Sequence, residues 1–266
     1  MINNKVIFIT GGTGSFGKKF IKTILVNHNP KKIIIFSRDE LKQYEMQKDS
    51  ELKKYLGKLR FFLGDIRDFD RLMLSMRGVD IVIHAAALKQ VDASEYNPFE
   101  AIKTNIIGSE NVIRSALQND VDKIIALSTD KASSPINLYG ATKLCSDKLF
   151  ISGNNYIGNA KLKISVVRYG NVMGSRGSIV PFLLSSSEKF VPVTNKSMTR
   201  FTITLGQSVD FVIKCLSIMQ GGELFVPKIP SYKLVDLVKA IAPSKKIKLV
   251  GIRPGEKIHE EMISLD

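Results

Sequence analysis

A short apolar strand that runs straight into a glycine-rich loop constrains the fold of this chain more than any other feature. The strand is predicted at residues 5–10, the loop at 11–17 reads GGTGSFG, and a helix-like segment continues to Val26. Glycines in such a loop let the backbone approach a pyrophosphate, and the N-terminus of the next helix offers N–H groups to it. The pattern therefore predicts a dinucleotide site at the first strand of a parallel α/β sheet.

Apolar strands and helix-like segments alternate along the first part of the chain. Further strands are predicted at 32–36, 60–68, 79–89, 124–127 and 163–168. This alternation favours right-handed crossovers and a doubly wound parallel sheet of the Rossmann type. After that point, prolines separate shorter elements. We therefore expect an α/β fold with a dinucleotide-binding domain at 1–170 and a smaller, substrate-binding lobe at 171–266.

The end of the second strand indicates which dinucleotide binds. NAD-binding folds usually place an acidic side chain there for the ribose 2′-hydroxyl. Here Ser37 takes roughly that position and Arg38 follows it, which leaves room and positive charge for a 2′-phosphate. We expect NADP as the cofactor, while the neighbouring Asp39 keeps NAD open.

Later strand ends complete the expected cofactor site. Asp65, at the end of the third strand, could meet the adenine amino group. Three alanines after the fourth strand would let a cofactor lie flat against the chain, although tight helix packing would also select alanine. Lys89 follows them near the reactive end and is a candidate substrate contact. The candidate cofactor residues are Gly11, Thr13, Gly14, Ser15, Phe16, Gly17, Ser37, Arg38, Asp39, Asp65, Ile66, Ala85, Ala86, Ala87, Tyr139 and Lys143.

The stretch 126–143 carries the candidate chemistry. Its apolar strand ends in the polar sequence STDK at 128–131, and ligands bind at that edge of an open α/β sheet. Tyr139 and Lys143 follow four residues apart, which places them on one helix face. One pocket could then hold an acid, two amines and a phenol.

These side chains suit two proton transfers. A phenol titrates near ~10, and a nearby ammonium favours its phenolate. Lys143 would thus let Tyr139 remove a hydroxyl proton while a hydride leaves the same carbon. Oxidation of an alcohol leaves Asp130 and Lys131 unused, so they indicate a second proton-transfer step.

Asn105 interrupts an otherwise good helix that begins near Pro98. A buried asparagine needs hydrogen-bond partners, and one role would be to hold water next to Lys143. Exposure at the surface is the alternative.

Arginines of the C-terminal lobe form a second candidate binding set. Arg176, Arg200 and Arg253 lie in predicted loops. Arginine suits bidentate recognition of phosphate, so the three could clamp a diphosphate. Surface solubility is the alternative.

Composition argues against several classes of protein. No run approaches ~18 apolar residues and the chain enters a strand at once, so we expect a cytoplasmic protein without membrane helix or signal peptide. The two cysteines and three histidines show no metal-ligand spacing, and we predict no metal. The net charge of +14 comes from lysines spread along the chain without an aromatic–basic RNA motif. An anionic small molecule is therefore favoured over nucleic acid.

Motifs along essentially the whole chain resemble one family. They read TGGTGSFG, FSRDE, HAAALKQV, STDKASSPINLYGATKL, RYGNVMGSRGS, MTRF, FVPKIPS and GIRPGEKIHE. The combination resembles the extended short-chain dehydrogenases/reductases and, more closely, the inverting UDP-N-acetylglucosamine 4,6-dehydratases of flagellin glycosylation and surface-polysaccharide synthesis. Retaining relatives carry Thr-Asp-Glu where this chain has Thr129-Asp130-Lys131. Related capsule enzymes can lack the tyrosine that this chain keeps as Tyr139, which favours the flagellin branch that leads toward pseudaminic acid.

The resemblance implies a role for each residue of the central stretch. Tyr139, helped by Lys143, would remove the O4 proton while NADP takes the C4 hydride. Lys131 would then remove the C5 proton, Asp130 would protonate the departing 6-hydroxyl, and the hydride would return to C6. Lys131 would need a pKa well below ~10.4, from burial or from neighbouring lysines. Thr129 would hydrogen-bond the substrate near O4.

The resemblance also implies a binding site for UDP-N-acetylglucosamine. Asn171, Arg200, Arg253 and Glu256 would hold the UDP part, and Lys89, Val172 and Arg176 are further candidate substrate contacts. Relatives generally continue with a C-terminal segment that this chain is expected to lack, and we expect a homo-oligomer. The alternatives are a UDP-sugar 4-epimerase or reductase on the same fold, and a dinucleotide-sensing protein without turnover.

Overall fold

Strands and helices alternate in the part of the chain that the computed structural model describes, residues 1–175 and 177–264. The strands are β1 (Val6–Thr10), β2 (Lys32–Ser37), β3 (Leu59–Leu63), β4 (Ile81–His84), β5 (Lys123–Thr129), β6 (Lys163–Tyr169), β7 (Asn171–Val172), β8 (Phe190–Val193), β9 (Thr199–Ile203), β10 (Leu224–Phe225), β11 (Ser231–Lys233) and β12 (Lys246–Leu249). The helices are α1 (Ser15–Asn27), α2 (Glu40–Gln47), α3 (Phe69–Ser75), α4 (Val91–Tyr96), α5 (Pro98–Ile102), α6 (Gly108–Gln118), α7 (Leu138–Ser152), α8 (Ile179–Ser185), α9 (Leu205–Ile218) and α10 (Leu234–Ile241). A π-helical turn, Lys103–Ile107, joins α5 to α6, and 3₁₀ turns cover Lys53–Lys58, Asp130–Ala132 and Gly153–Tyr156. None of these helices has the length and apolar character needed to cross a bilayer.

Seven parallel strands form the main sheet. Their order is β10-β6-β5-β4-β1-β2-β3, so the chain runs outward from β1 to β3 and then returns to the other side of β1 with β4. Such a reversal opens a crevice at the carboxyl ends of the strands. The apolar segments of β1, β2 and β4 are almost completely buried because helices cover both faces of the sheet. The prediction of a doubly wound parallel sheet is confirmed.

An apolar layer covers each face of the main sheet. On one face, Phe20 of α1 lies in the same buried cluster as Val212 and Leu216 of α9. On the other face, Val112 of α6 and Phe150 of α7 are buried together. Two elements that follow β6 in the chain therefore belong to the main-sheet domain. Helix α9 covers one face of the sheet, and β10 is the edge strand next to β6.

The remaining elements after β6 form a lobe that borders the carboxyl edge of the main sheet. β11, β9 and β7 form a three-stranded sheet, and β12 pairs with β8 in a parallel two-stranded sheet. The lobe has its own buried cluster, formed by Leu183 of α8, Val191 and Val193 of β8, and Val238 of α10. A second wall is thus available opposite the strand ends.

Replacing Leu216 with alanine should lower the free energy of unfolding by about 2–5 kcal/mol, since its side chain is completely buried and its loss leaves a cavity. Urea unfolding followed by circular dichroism measures the change. Ile218→Ala is the matched control on the same helix, because this side chain is 51% exposed, and we expect a change within about 0.5 kcal/mol. Equal losses in the two variants would contradict the docking of α9 on the sheet.

Candidate active site

A cavity of about 1000 Å³ lies between the carboxyl ends of the main-sheet strands and the smaller lobe. The predicted residues on its wall are Gly11, Thr13, Gly14, Ser15, Phe16, Gly17, Ser37, Arg38, Asp39, Asp65, Ile66, Ala85, Ala86, Ala87, Lys89, Thr129, Lys131, Tyr139, Lys143, Asn171, Val172, Arg200, Arg253 and Glu256. Asp130 lies behind this wall with a fully buried side chain. Arg176 lies outside the described residues. The fold therefore brings side chains from distant parts of the chain to one cavity.

The glycine loop has the shape that a pyrophosphate site requires. Gly11 has a φ of +64°, and a β-carbon there would lie 2.9 Å from the main-chain nitrogen of Ala86. Helix α1 begins at Ser15 after Gly14, with no side-chain cap and no acidic residue in its first turn. Since this loop lines the cavity, the positive end of the helix dipole borders it and favours an anion there.

The end of β2 presents positive charge to the cavity. The Asp39 carboxylate caps α2 by accepting from the Lys42 main-chain N–H at 2.9 Å, and it also pairs with the Lys42 amine. Arg38 keeps 55% of its side chain exposed, and its guanidinium lies 3.6 Å from Asp65. Ser37, Arg38 and Lys42 all line the cavity here.

Asp65 is held by two arginines. Its Oδ2 accepts from Arg67 Nη2 at 2.8 Å, with the Arg38 guanidinium nearby. Burial acts to raise the pKa of Asp65, but Arg67 and Arg38 outweigh it, so the pKa lies below its usual value. The carboxylate is ionised at neutral pH and can accept hydrogen bonds from a ligand in the cavity.

The amine of Lys131 lies between carboxylates at the end of β5. It donates to Asp130 Oδ1 at 3.0 Å and to Asn171 Oδ1 at 3.4 Å, and it forms an ion pair with Glu260 Oε1 at 3.5 Å. The Thr129 hydroxyl donates to the same Asp130 oxygen at 3.0 Å. Only 19% of the Lys131 side chain is exposed, and it lines the cavity. The amine is therefore largely buried, as one of the sequence expectations has it. Its nearest charged neighbours are the carboxylates of Asp130 and Glu260, not the lysines that were the other expectation.

Gly140 lets α7 approach the turn that carries Lys131. A β-carbon at Gly140 would overlap the main-chain oxygen of Lys131 and would lie 3.1 Å from the Pro135 side chain. Asn137 starts the helix by accepting from the Gly140 N–H at 2.8 Å. This close approach places Tyr139, in the first turn of α7, next to the Lys131 turn. Sequence reasoning missed this requirement, although a glycine in the first turn of a predicted helix was a visible signal.

Tyr139 and Lys143 line the cavity from α7. The Lys143 amine donates to the main-chain oxygen of Leu127 at 2.8 Å. Burial lowers the pKa of Lys143, and the charge of Asp147 opposes this. Burial raises the pKa of Tyr139 above its ordinary value, and a hydrogen bond with Thr129 reduces the rise. The Tyr139 phenol is therefore neutral near pH 7, whereas the sequence predicts that Lys143 favours a phenolate.

Comparison with known proteins identifies the family. The model of a family described as polysaccharide biosynthesis protein matches residues 7–266. The chain belongs to this family. One relative is an inverting UDP-N-acetylglucosamine 4,6-dehydratase from Campylobacter jejuni subsp. jejuni serotype O:23/36 (strain 81-176), 56% identical over 269 residues that cover 100% of this chain and 79% of that protein. Another is a UDP-glucose 4-epimerase from Rickettsia akari (strain Hartford), 42% identical over 274 residues that cover 99% of this chain and 79% of that protein.

A solved structure shares the fold closely. Pen from Bacillus thuringiensis superposes with a TM-score of 0.94 at 39% identity, over 98% of this chain and 84% of that chain. The resemblance to the inverting dehydratases that the sequence motifs carry is confirmed at the level of the family.

In this member of the polysaccharide biosynthesis protein family, a buried ion pair ties β6 to α7. Arg168 Nη2 donates to Asp147 Oδ2 at 2.9 Å, and the Ser128 hydroxyl donates to the same oxygen at 2.7 Å. Since breaking a buried pair leaves a charge without compensation, this contact fixes the helix that carries Tyr139 and Lys143. Sequence reasoning missed the pair, although an arginine at the end of an apolar strand was a signal.

Asn105 is buried in the π-helical turn, which excludes the surface alternative. Its Oδ1 accepts from the Leu88 N–H at 2.8 Å, and its Nδ2 donates to the Leu88 carbonyl at 2.9 Å and to Thr142 Oγ1 at 3.0 Å. Asn105 therefore holds the main chain just before Lys89 against α7. Its predicted role in holding water stays a prediction.

His84 lies at the end of β4, just before the three alanines. Its Nδ1 is 2.9 Å from Thr10 Oγ1, and this hydroxyl accepts from the main-chain N–H groups of Ala85 and Ala86 at 3.1 and 3.2 Å. Burial, and to a lesser extent the charge of Lys143, lowers the pKa of His84 from 6.5 to about 3. The histidine is thus neutral and structural in this family member, which sequence alone did not indicate because its burial depends on the fold.

The low pKa of His84 predicts a loss of stability in acid. Between pH 6.5 and about 3 the unfolded chain binds a proton at this histidine while the folded protein does not. The free energy of unfolding should therefore fall as the pH decreases, by up to about 1.4 kcal/mol per pH unit from this group. His84→Asn keeps a hydrogen-bonding partner for Thr10 but removes the titration, so its decline in acid should be shallower. Urea unfolding across this pH range measures both curves, and parallel curves would contradict a buried neutral histidine.

Proposed function

We propose that this protein is an inverting UDP-N-acetylglucosamine 4,6-dehydratase that carries its hydride on NADP. The observation that carries the proposal is the Lys131 amine, which faces the cavity on the same wall as Tyr139 and is hydrogen-bonded to Asp130. Oxidation at C4 needs one base, whereas loss of water across C5 and C6 needs a second base and an acid. Membership of the family and 56% identity to a dehydratase of that name support the same assignment.

The wall near α1 suits a dinucleotide. Gly11 lets the loop 11–17 pack against the main chain of Ala85 and Ala86, and the loop lines the cavity at the N-terminus of α1, which fits a pyrophosphate. Ser37, Arg38 and Lys42 would hold a 2′-phosphate, because the carboxylate of Asp39 already caps α2 and pairs with Lys42. When bound, the nicotinamide would accept the C4 hydride of the sugar and return it to C6. The remaining assignments are Asp65 and Ile66 at the adenine, Ala85, Ala86 and Ala87 along the cofactor, and Tyr139 and Lys143 at its reactive end.

Tyr139 would take the proton of the 4-hydroxyl group. Burial keeps its phenol neutral, so the phenolate needs a nearby positive charge. The Lys143 amine on the same helix face supplies that charge, and its effect grows as the substrate excludes water from the cavity. The hydrogen bond of Thr129 offsets part of the rise that burial causes in the pKa of Tyr139. Thr129 would also contact the substrate near O4.

Lys131 and Asp130 would carry out the elimination. The ketone at C4 makes the C5 proton acidic, and the amine of Lys131, which lies on the cavity wall, removes that proton from the sugar. Asp130 gives a proton to the departing 6-hydroxyl through its contacts with Thr129 and Lys131, since it lies behind the wall itself. The C5 proton then passes from Lys131 to Asp130 across their 3.0 Å hydrogen bond and replaces the proton that left with water. When the hydride returns to C6, C5 would take a proton from solvent on the opposite face, and Tyr139 would release the proton that it took from the 4-hydroxyl group.

The lobe side of the cavity would bind the UDP part. Arg200 and Arg253 line it, and Arg200 is oriented by donating to the main-chain oxygens of Thr199 and Ile258 at 2.7 and 3.1 Å. Lys89 lines the main-sheet side of the cavity and would contact the sugar. Burial lowers the pKa of its amine, which therefore loses its proton more easily than an exposed lysine. The further substrate contacts would be Asn171, Val172 and Glu256. The product would enter surface-polysaccharide or flagellin glycan synthesis, and the family description, polysaccharide biosynthesis protein, supports the first of these two routes.

The expectation of a homo-oligomer is part of this proposal. Tyr96, Phe99 and Ile107 expose large apolar side chains on α4, α5 and the π-helical turn. Exposed apolar surface of this kind is typical of protein–protein contacts.

A UDP-sugar 4-epimerase is the second candidate, because a relative of that name is 42% identical. An epimerase removes and returns a hydride at C4, which needs Tyr139 and Lys143. That chemistry leaves the Lys131 and Asp130 pair without a step, so the site favours the dehydratase.

NMR of the purified protein with NADP and UDP-N-acetylglucosamine in deuterated water separates the two functions. A dehydratase forms a 4-keto-6-deoxy sugar with deuterium at C5, because the C5 proton is exchanged during elimination. An epimerase forms the galacto isomer instead. Absence of both products would contradict both assignments.

In the same experiment, Lys131→Ala should lower product formation by at least about 100-fold, because the second base is removed. NADPH should bind the variant with unchanged affinity. Lys148→Ala, on the exposed face of α7, is the matched control and should keep full turnover. Wild-type turnover in Lys131→Ala would exclude this amine as the base.

Arg38→Ala should weaken NADPH binding by about 10- to 100-fold and leave NADH binding within about twofold, because only NADPH carries a 2′-phosphate. Fluorescence titration measures both affinities. Arg77→Ala, an exposed arginine outside the cavity wall, should change neither. Equal weakening of both dinucleotides in Arg38→Ala would contradict the preference for NADP.

A further inference from the structure

A second carboxylate, from the C-terminal segment, reaches the Lys131 amine. Glu260 Oε1 lies 3.5 Å from Lys131 Nζ, and only 5% of the Glu260 side chain is exposed. Its other oxygen, Oε2, is buried and has no hydrogen-bond partner among the described residues. Within the described residues, Lys131 is the one cation within 4.0 Å of this carboxylate. The amine therefore stands between Asp130 on one side and Glu260 on the other.

The backbone on both sides of Glu260 is anchored. The Ile258 carbonyl accepts from the Thr199 N–H at 3.0 Å and from Arg200 Nη1 at 3.1 Å. After Glu260, the Met262 carbonyl accepts from Arg168 Nη1 at 3.1 Å. These contacts tie the segment to β9 and to β6. Hydrogen bonds to the main chain on both sides of Glu260 therefore hold its carboxylate beside Lys131.

Burying the Glu260 carboxylate costs free energy unless a partner compensates its charge. An ionised carboxylate away from water is stable only beside a cation or several hydrogen-bond donors. Asp130 already occupies the Lys131 amine at 3.0 Å, in a shorter contact than that of Glu260. A single amine thus faces two buried carboxylates, which is one more than a simple ion pair needs.

We infer that Glu260 is a positioning residue that acts through Lys131: its carboxylate is the counter-charge for the ammonium that forms when Lys131 takes the C5 proton. This inference rests on the function proposed above. Asp130 cannot serve as that counter-charge at this stage, because it must still hold the proton that it gives to the 6-hydroxyl. Glu260 stays anionic throughout and takes no part in bond making.

The proton count over the elimination is consistent with this role. In the ion pair of Lys131 with Asp130 the shared proton lies on Lys131; for the elimination it crosses their 3.0 Å hydrogen bond to Asp130. Lys131 is then a neutral amine, Asp130 is a neutral acid and Glu260 carries one negative charge. After C5 deprotonation, Lys131 is an ammonium that Glu260 neutralises. When water leaves with the proton of Asp130, the ammonium returns its own proton to Asp130. The cluster then has its initial charges again.

Steady-state kinetics of Glu260→Gln test the inference. The amide keeps the shape but removes the charge, so kcat for dehydration should fall by about 10- to 100-fold. KM for UDP-N-acetylglucosamine should stay within about twofold, because Glu260 is not on the cavity wall. Oxidation at C4 does not use Lys131, so enzyme-bound NADPH should accumulate during turnover and raise the absorbance at ~340 nm. Glu260→Asp, which keeps the charge, should retain more of kcat than Glu260→Gln.

Glu261→Gln is the matched control. This neighbouring glutamate is exposed and contacts Ser134 Oγ at 3.1 Å rather than Lys131, so the same substitution should leave kcat unchanged. Wild-type kcat in Glu260→Gln would overturn the inference. A fall in kcat with a lowered melting temperature and no accumulated NADPH would also overturn it, since that result shows a purely structural role. If the wild-type protein itself forms no 4-keto-6-deoxy sugar, the proposed function fails and the inference fails with it.

Discussion

The cavity depends on the contact between the Asp130 carboxylate and the Lys131 amine at the end of β5. The carboxylate is fully buried, and a charge in such a place is stable only with a cation and hydrogen bonds around it. Lys131 supplies the cation, and the Thr129 hydroxyl supplies a further hydrogen bond. Because the buried acid has few other partners, it holds the lysine at the cavity wall and keeps the amine out of bulk water.

Several parts of the fold support this contact from different directions. Gly140 allows the first turn of α7 to approach the main chain of Lys131, which places Tyr139 nearby. The buried pair of Asp147 and Arg168 holds the same helix against β6. Arg168 also donates to the Met262 carbonyl, so one guanidinium links the main sheet to the C-terminal segment. Asp130, Lys131 and Tyr139 are therefore held by a network that spans both the sheet and the lobe.

Features that depend on short stretches of chain were predictable. The continuous apolar runs of β1 and β2 predict buried parallel strands, because a strand covered on both faces needs no alternation. The glycine loop predicts the turn before α1 for the same local reason, since Gly11 has a positive φ. The break that Asn105 makes in its helix corresponds to the π-helical turn. In contrast, the rise in the pKa of Tyr139 was not predictable, because it comes from burial under residues that lie far away in the chain.

The sequence by itself determined the parallel sheet, the glycine loop and the set of polar residues at the strand ends, because each follows from a pattern within about 20 neighbouring residues. Only the tertiary structure decided which charges meet. It placed the Glu260 carboxylate beside Lys131, buried His84 as a neutral ring, and directed the Asp39 carboxylate to Lys42. The physical reason is that electrostatic energies depend on distance and burial in space, and the spacing of residues along the chain specifies neither.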